Sequence, residues 1–331
     1  MNRVVLGIGT SHSPLLTFGA DLWLERAQDD LLKKNLTPAD GRTLTYEQLN
    51  REVNGRYASK ANREQLQEQA SAAQRSLDRL AAEIAAASPD FVVIIGDDQG
   101  ELFGLPNMPA LSIFYGKDVV MTPRGENPNL PDWLHTAYEG YGMDAVHRYE
   151  GTPEIAFKLI EGLIDAGVDV GAASEVVDPR RDGFGHAFGF VVERLFGGRR
   201  IPIIPILLNT YYPPNVIRPA RCHDIGRLLR RTIEGLPGKA RFAIIASGGL
   251  SHFVTDETLD RRVIDGLRTG NAEALRTIPM DALRSGSSEI LNWILAGGAL
   301  ETLPNKWAEY LPVYRTPAGT GIGLGFTAWV A

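Results

Sequence analysis

The sequence predicts a single α/β domain: a central, mostly parallel β-sheet flanked by helices, with its active site at the carboxyl ends of the strands. Two observations carry this. Four short, near-continuously apolar runs, Val4 to Ile8, Phe91 to Ile95, Ile201 to Leu208 and Phe242 to Ala246, have the composition of strands covered on both faces. Polar residues of chemically versatile types stand directly behind three of these runs, where open α/β sheets bind ligands.

Between the first two runs, Asn62 to Ala87 reads as a helix, because Leu66, Ala70, Ala73, Leu77, Leu80 and Ile84 recur every three or four residues along one face. Further helices are expected at Thr152 to Ala166, Phe188 to Leu195, His223 to Glu234, Asp256 to Thr269 and Glu289 to Leu295. Residues 24–60 are polar and read as a loop followed by a short helix, so 20–60 is treated as an insertion. No repeat, low-complexity tract or Pro/Gly/Ser linker divides the chain, and one domain over 1–331 is the simplest account.

Composition narrows the function. The net charge of −6 is spread along the chain, and the basic residues near Arg199 and Arg227 alternate with acids and apolar positions, so no nucleic-acid footprint is present. The one cysteine, Cys222, excludes an internal disulfide and a thiolate-rich metal site and fits a reducing compartment. No run approaches the roughly 20 apolar residues that span a bilayer. The first apolar stretch is cut short by Ser11-His12-Ser13-Pro14, unlike a signal peptide. A soluble, cytoplasmic protein acting on a small molecule is expected, with no membrane or nucleic-acid partner.

Three strand-end stretches could converge: Ser11-His12-Ser13, then "GDDQGE" with Asp97, Asp98, Gln99 and Glu101, then "SGGLSH" ending in His252. "RDGFGHAFGF" adds His186 among glycines that permit close backbone approach, and "SGSSEILNWILAGGAL" puts Glu289 in the first turn of a helix. Each has an ordinary structural explanation as well, since an acid at a helix start is favoured by the helix dipole alone. His135 and His147 lie in polar surroundings, and His223 reads as a cap or surface residue. Together His12, His186, His252 and Glu289 supply nitrogen and oxygen donors suited to an open site for non-haem iron(II), or alternatively for zinc. Neither a Gly-x-Ser-x-Gly nucleophile elbow nor a dinucleotide-binding glycine fingerprint is present.

Taken in order, "GIGTSHSP", "FVVIIGDDQGELF", "DGFGHAFGF", "NTYYPP", "ASGGLSH" and "SGSSEILNWILAGGAL" resemble the motifs of the class III extradiol ring-cleaving dioxygenases, of the protocatechuate 4,5-dioxygenase catalytic-chain type. The polar insertion and "GDDQGELF" look most like the single-chain branch that includes methylgallate and gallate dioxygenases. The resemblance implies His12 and Glu289 as iron ligands, His252 as the acid/base group and His186 as a hydrogen-bonding partner of substrate or oxygen. It implies Fe(II) as cofactor, O2 and a catechol or gallate-like aromatic acid such as 3-O-methylgallate as substrates, and a homodimer. Where the two-chain enzymes carry a second histidine ligand, this chain has Gln99, so the third ligand is Gln99, a neighbour such as Asp98 or Glu101, or absent. "YRTPAGTGIG" resembles the family's loop for the substrate carboxylate and nominates Thr316 and Thr320. Two rival readings are a zinc hydrolase in the same cleft and a non-catalytic relative with a decayed metal site, which Gln99 would favour.

Overall fold

The computed structural model describes residues 1–331. In chain order the elements are β1 (Arg3–Thr10), α1 (Ala20–Leu31), α2 (Tyr46–Val53), α3 (Arg63–Ala87), β2 (Phe91–Asp97), β3 (Leu111–Phe114), β4 (Asp118–Val120), α4 (Asp132–Gly140), β5 (Arg148–Glu150), α5 (Pro153–Asp165) and β6 (Gly171–Ala173). They continue with α6 (His186–Leu195), β7 (Ile203–Leu208), α7 (Pro219–Gly235), β8 (Arg241–Ser247), β9 (His252–Val254), α8 (Glu257–Thr269), α9 (Ala272–Arg276), α10 (Ile290–Leu300), β10 (Asn305–Tyr314) and β11 (Thr320–Val330).

Nine strands form one sheet in the order β10-β11-β1-β8-β2-β7-β3-β6, with β9 pairing off this path onto β11. The four strands expected from the apolar runs, β1, β8, β2 and β7, are its mutually parallel centre. Antiparallel β11 joins one side and antiparallel β3 the other. Alternate residues of β2 serve opposite faces: Val93 and Ile95 enter a core with α5, α7, α8 and α10, whereas Val92 and Ile94 enter one with α3 and α6. Because both faces are covered, each central strand must be apolar throughout, which makes these strands conspicuous in the sequence. α3 starts where Asn62 accepts a hydrogen bond from the Gln65 N–H (3.0 Å), and Leu66, Ala73, Leu77, Leu80 and Ile84 are buried along its stripe. No helix is long and apolar enough to cross a membrane.

Three expectations needed correction. Part of the supposed loop after residue 24 is α1, whose inner face carries the buried charged residues Arg26 and Asp30 and so lacks an apolar stripe. The "YRTPAGTGIG" stretch is the turn of a long hairpin, β10 and β11. His223 is neither cap nor surface residue: it is buried in α7, whose Gly226 and the Gly298 of α10 let the two helix backbones touch. His147 does lie at the surface, 2.9 Å from Asp144.

A Cβ on Gly226 would overlap the Leu295 carbonyl. Gly226→Ala should therefore force α7 and α10 apart and destabilise the protein by about 1–3 kcal/mol, the usual cost of overpacking a core. Urea unfolding checks this; an unchanged midpoint would show that the contact is not tight.

Candidate active site

Strand endings deliver the site. β1 stops at Thr10 and presents His12; β2 stops at Asp97 and turns through Asp98, Gln99 and Glu101; the turn after β8 leads through Gly249 to His252. Glu289 closes a 3-10 turn, Ser285–Glu289, directly before α10. His186 is the first residue of α6. The expected convergence of these stretches is realised around Glu289, which is 2 % exposed. Its Oε2 lies 3.0 Å from His12 Nε2 and accepts a hydrogen bond from Gly249 N–H (2.6 Å), while Oε1 lies 3.3 Å from His252 Nε2 and 3.3 Å from Gln99 Nε2. Burial opposes ionisation of Glu289, but the attraction of His252 and His12 outweighs it and holds the carboxyl well below its ordinary range.

Each imidazole is oriented from behind. His12 Nδ1 pairs with Ser247 Oγ at 3.0 Å, and Tyr141 donates to the His12 carbonyl (2.7 Å) while its ring lies against His186. His252 Nδ1 lies 2.9 Å from the Leu250 carbonyl, which fixes the proton on Nδ1 and leaves Nε2 as the acceptor. A Cβ on Gly286 would overlap the His252 ring, so glycine is required there for close approach. Burial opposes protonation of His252, yet Glu289 raises its pKa. His186 Nδ1 lies 3.4 Å from Glu101 Oε1; burial again opposes charging, but Glu101, with help from Asp97 and Glu289, pushes His186 up to about 9.

The "GDDQGE" turn divides its labour. Asp98 does not face the cluster: its carboxylate accepts the backbone N–H groups of Gly100, Glu101, Leu102 and Phe103, building the turn itself. Glu101 accepts the Gln99 N–H (2.6 Å) and holds His186. Neither belongs to the group of donor atoms that His12, His186 and Glu289 bring together. Gln99 directs its amide Nε2 at Glu289 and at Asp97 Oδ2 (2.9 Å). Asp97, named in that stretch without a role, is buried, accepts also from Asn292 (3.3 Å), and is pushed upward in pKa by burial and then by Glu289.

His12, His186 and Glu289 bring one donor atom each within 4.8 Å of one another, a set that could hold a metal ion. The donors fit such an ion. His12 Nε2 is buried without a hydrogen bond, although it lies 3.0 Å from Glu289 Oε2, leaving an orphaned ring nitrogen inside the cluster. His12, Gln99, His186, His252 and Glu289 line a cavity of about 370 Å³, which suits a small aromatic molecule. Its wall also carries Arg26, Arg124, Trp133, Tyr211 and Arg315, none of which the sequence singled out. Thr316 and Thr320 do not line it: their hydroxyls bond each other (2.8 Å) and Thr320 donates to Asp30 (2.9 Å), while Arg315 between β10 and β11 reaches the cavity instead.

The family described as the catalytic LigB subunit of aromatic ring-opening dioxygenase matches residues 58–325, and the chain belongs to that family. His12 and α1 precede the matched stretch. Among individual relatives, the chain is 33% identical over 101 residues to a 2,3-dihydroxyphenylpropionate/2,3-dihydroxicinnamic acid 1,2-dioxygenase of Comamonas testosteroni, covering 30% of this chain and 29% of that protein. It is 26% identical over 134 residues to a gallate dioxygenase of Pseudomonas putida, covering 37% of this chain and 38% of the relative. The matched stretches thus span well under half of either relative.

One buried support of the site has a pH signature. Asp260 accepts from the Ser251 N–H, the Ser251 hydroxyl and the Tyr310 hydroxyl, all at 2.7 Å, and so anchors the residue before His252. Burial pushes Asp260 up to about 7, against the pull of these donors. The folded state therefore keeps a proton that the unfolded chain releases near pH 4, and this group's contribution to stability falls as pH rises from about 4 to 7. Asp260→Asn should remove that fall, at most about 1.4 kcal/mol per pH unit. Denaturant midpoints of both proteins across this window test it; parallel curves would show that Asp260 does not titrate there.

Proposed function

We propose that the protein is an Fe(II)-dependent extradiol dioxygenase that opens the ring of a catechol or gallate-like aromatic acid with O2. The observation that carries this reading is the buried Glu289 carboxylate shared by His12, His252 and Gln99 at the floor of a cavity sized for one aromatic ring. Iron would be held by His12 and Glu289, with the Gln99 amide oxygen as a weak neutral third ligand. When bound, ferrous iron would supply the electron transfer that lets a diol and O2 react. Gln99 now turns its N–H groups to Asp97 and Glu289; a cation beside those carboxylates favours the opposite face of the amide. His186 belongs to the same donor group by distance, but its link to Glu101 suits it to donate a hydrogen bond rather than to ligate.

The chain's own residues then divide the chemistry. His252 Nε2, freed by the Nδ1 contact to Leu250, takes a proton from the diol and returns it when the O–O bond breaks. Its raised pKa keeps the imidazolium available for that return. His186, held by Glu101 and Tyr141, donates to the oxygen or the substrate hydroxyl. Ser247 holds His12 through Nδ1, so that Nε2 faces the cluster. A relative named for gallate and another named for dihydroxyphenylpropionate both act on carboxylated vicinal diols, which supports the aromatic-acid class. We further propose that the protein acts as a homodimer in the cytoplasm, and that residues 20–60 are an insertion within one domain.

Anaerobic loading with Fe(II) or Zn(II), followed by catechols and gallates with O2, tests the activity: oxygen uptake with iron and a yellow ring-opened product is expected. Hydrolytic turnover with zinc and none with iron would replace the proposal by a hydrolase. In anaerobic iron titrations His12→Ala and Glu289→Ala should lose stoichiometric binding, Gln99→Ala should bind more weakly, and His186→Ala should retain iron. If His186→Ala loses iron while Gln99→Ala does not, His186 is the third ligand.

His252→Ala should keep iron but lose turnover by about 10²- to 10⁴-fold, the usual contribution of a general acid/base. Steady-state kcat decides this, and a change below about threefold would remove His252 from the mechanism.

A further inference from the structure

One wall of the cavity carries more positive charge than its surroundings neutralise. Arg26 Nη1 bonds Asp30 Oδ1 (2.9 Å), and Arg315 bonds the same carboxylate through Nε to Oδ2 (2.7 Å) and Nη2 to Oδ1 (3.3 Å). Asp30 is fully buried, and its remaining partner is a hydroxyl, Thr320. Two guanidiniums therefore share one buried carboxylate. The nearest further acid, Asp29, is 4.0 Å from Arg26 and half exposed to solvent. Arg26 leaves Nε and Nη2, and Arg315 leaves Nη1, without a hydrogen bond to protein. Both side chains line the cavity, and both are buried, at 8 % and 6 % exposed. Burial and the neighbouring Arg315 together lower the pKa of Arg26, the mark of a cation lacking a full complement of anions. The Trp133 ring, 5.2 Å from the Arg26 guanidinium, adds a flat apolar surface to the same wall.

We propose that Arg26 and Arg315, bracketing Asp30, form a carboxylate-binding wall of this cavity, and that Arg26 sets a preference for aromatic acids over neutral catechols. The inference rests on the proposed aromatic ring-opening activity for its substrate, but its own test does not need turnover. A planar guanidinium with two free N–H groups matches a carboxylate edge, and low exposure strengthens the pairing. Asp30 is a positioning residue: it holds both cations in place while offsetting only one of them. Arg26 and Asp30 lie on α1, before the residues 58–325 that the family model matches. Arg124 also lines the cavity, without a hydrogen bond to Asp30, and serves as the control cation.

Calorimetric binding of 4-hydroxybenzoate and of neutral 4-hydroxybenzyl alcohol tests the wall, because neither probe has the vicinal diol needed for ring opening. The wild-type protein should bind the acid at least about tenfold more tightly than the alcohol, as a charge-assisted hydrogen bond allows. Arg26→Gln should lower that ratio by roughly 10- to 100-fold, and Arg26→Lys should restore part of it. Equal wild-type affinity for the two probes overturns the proposal even if the variants fail to fold. So does loss of discrimination in Arg124→Gln with none in Arg26→Gln. Ring opening with no acid preference sinks the wall alone; Arg26-dependent acid binding without ring opening sinks the activity and leaves the wall standing.

Discussion

Everything at the carboxyl edge of this sheet is arranged around one buried carboxylate. Glu289 touches groups delivered by β1, by the turn after β2 and by the turn after β8, and it sits at the entry to α10. An isolated carboxylate at that depth would be strongly disfavoured. It is tolerated because two imidazoles, an amide and a backbone N–H converge on it, and their convergence fixes where three loops end. Removing Glu289 would leave the Gly249 N–H and the Gln99 amide without this acceptor, and the two imidazoles without the negative charge between them.

The donors of that cluster are themselves held from a second ring of contacts. Ser247, Leu250, Glu101 and Tyr141 each bind the far side of a histidine or its backbone, so that the nitrogen facing the cavity is selected by what the other nitrogen does. Asp98 acts one step further back, gathering four backbone N–H groups into the turn that carries Gln99 and Glu101. The result is a cavity with the Glu289 carboxylate at its floor and Arg26, Arg124 and Arg315 on its wall.

Much of this was legible in the sequence, and the parts that were not share a physical reason. The central strands and α3 announce themselves because burial on both faces of a sheet, or along one stripe of a helix, leaves a regular apolar pattern. His12, His186, His252 and Glu289 stand out in the sequence because each follows a strand or opens a helix in a Gly/Ser-rich setting, and the fold brings all four to one cavity. α1 was missed because its inward face is charged, and Arg26 and Arg315 because charged residues are normally read as solvated. β11 was missed because Gly321, Gly323 and Gly325 take alternate positions, where a side chain would collide with β10, Asp260 and Leu250, so close packing erased the strand signal. The direction in which Asp98 and the Thr316–Thr320 pair turn is a matter of hydrogen-bond geometry, which spacing does not encode.

The pairing of β1 with β11 has a consequence for how the chain comes to be folded. The strand that presents His12 is made long before one of its two neighbours in the sheet, which lies more than three hundred residues later, from Thr10 against Phe326 to Leu6 against Val330. A nascent chain that has reached the end of α10 already contains His12, Gln99, His186, His252 and Glu289, but β1 still has an open edge and Ser11 still lacks its hydrogen bonds to Gly325. Such long-range closure is slow because the entropy of a large loop is lost before any contact is gained. The pocket is thus completed by the segment synthesised after all of those side chains, and a ribosome-bound intermediate would carry them without the architecture that makes them a site.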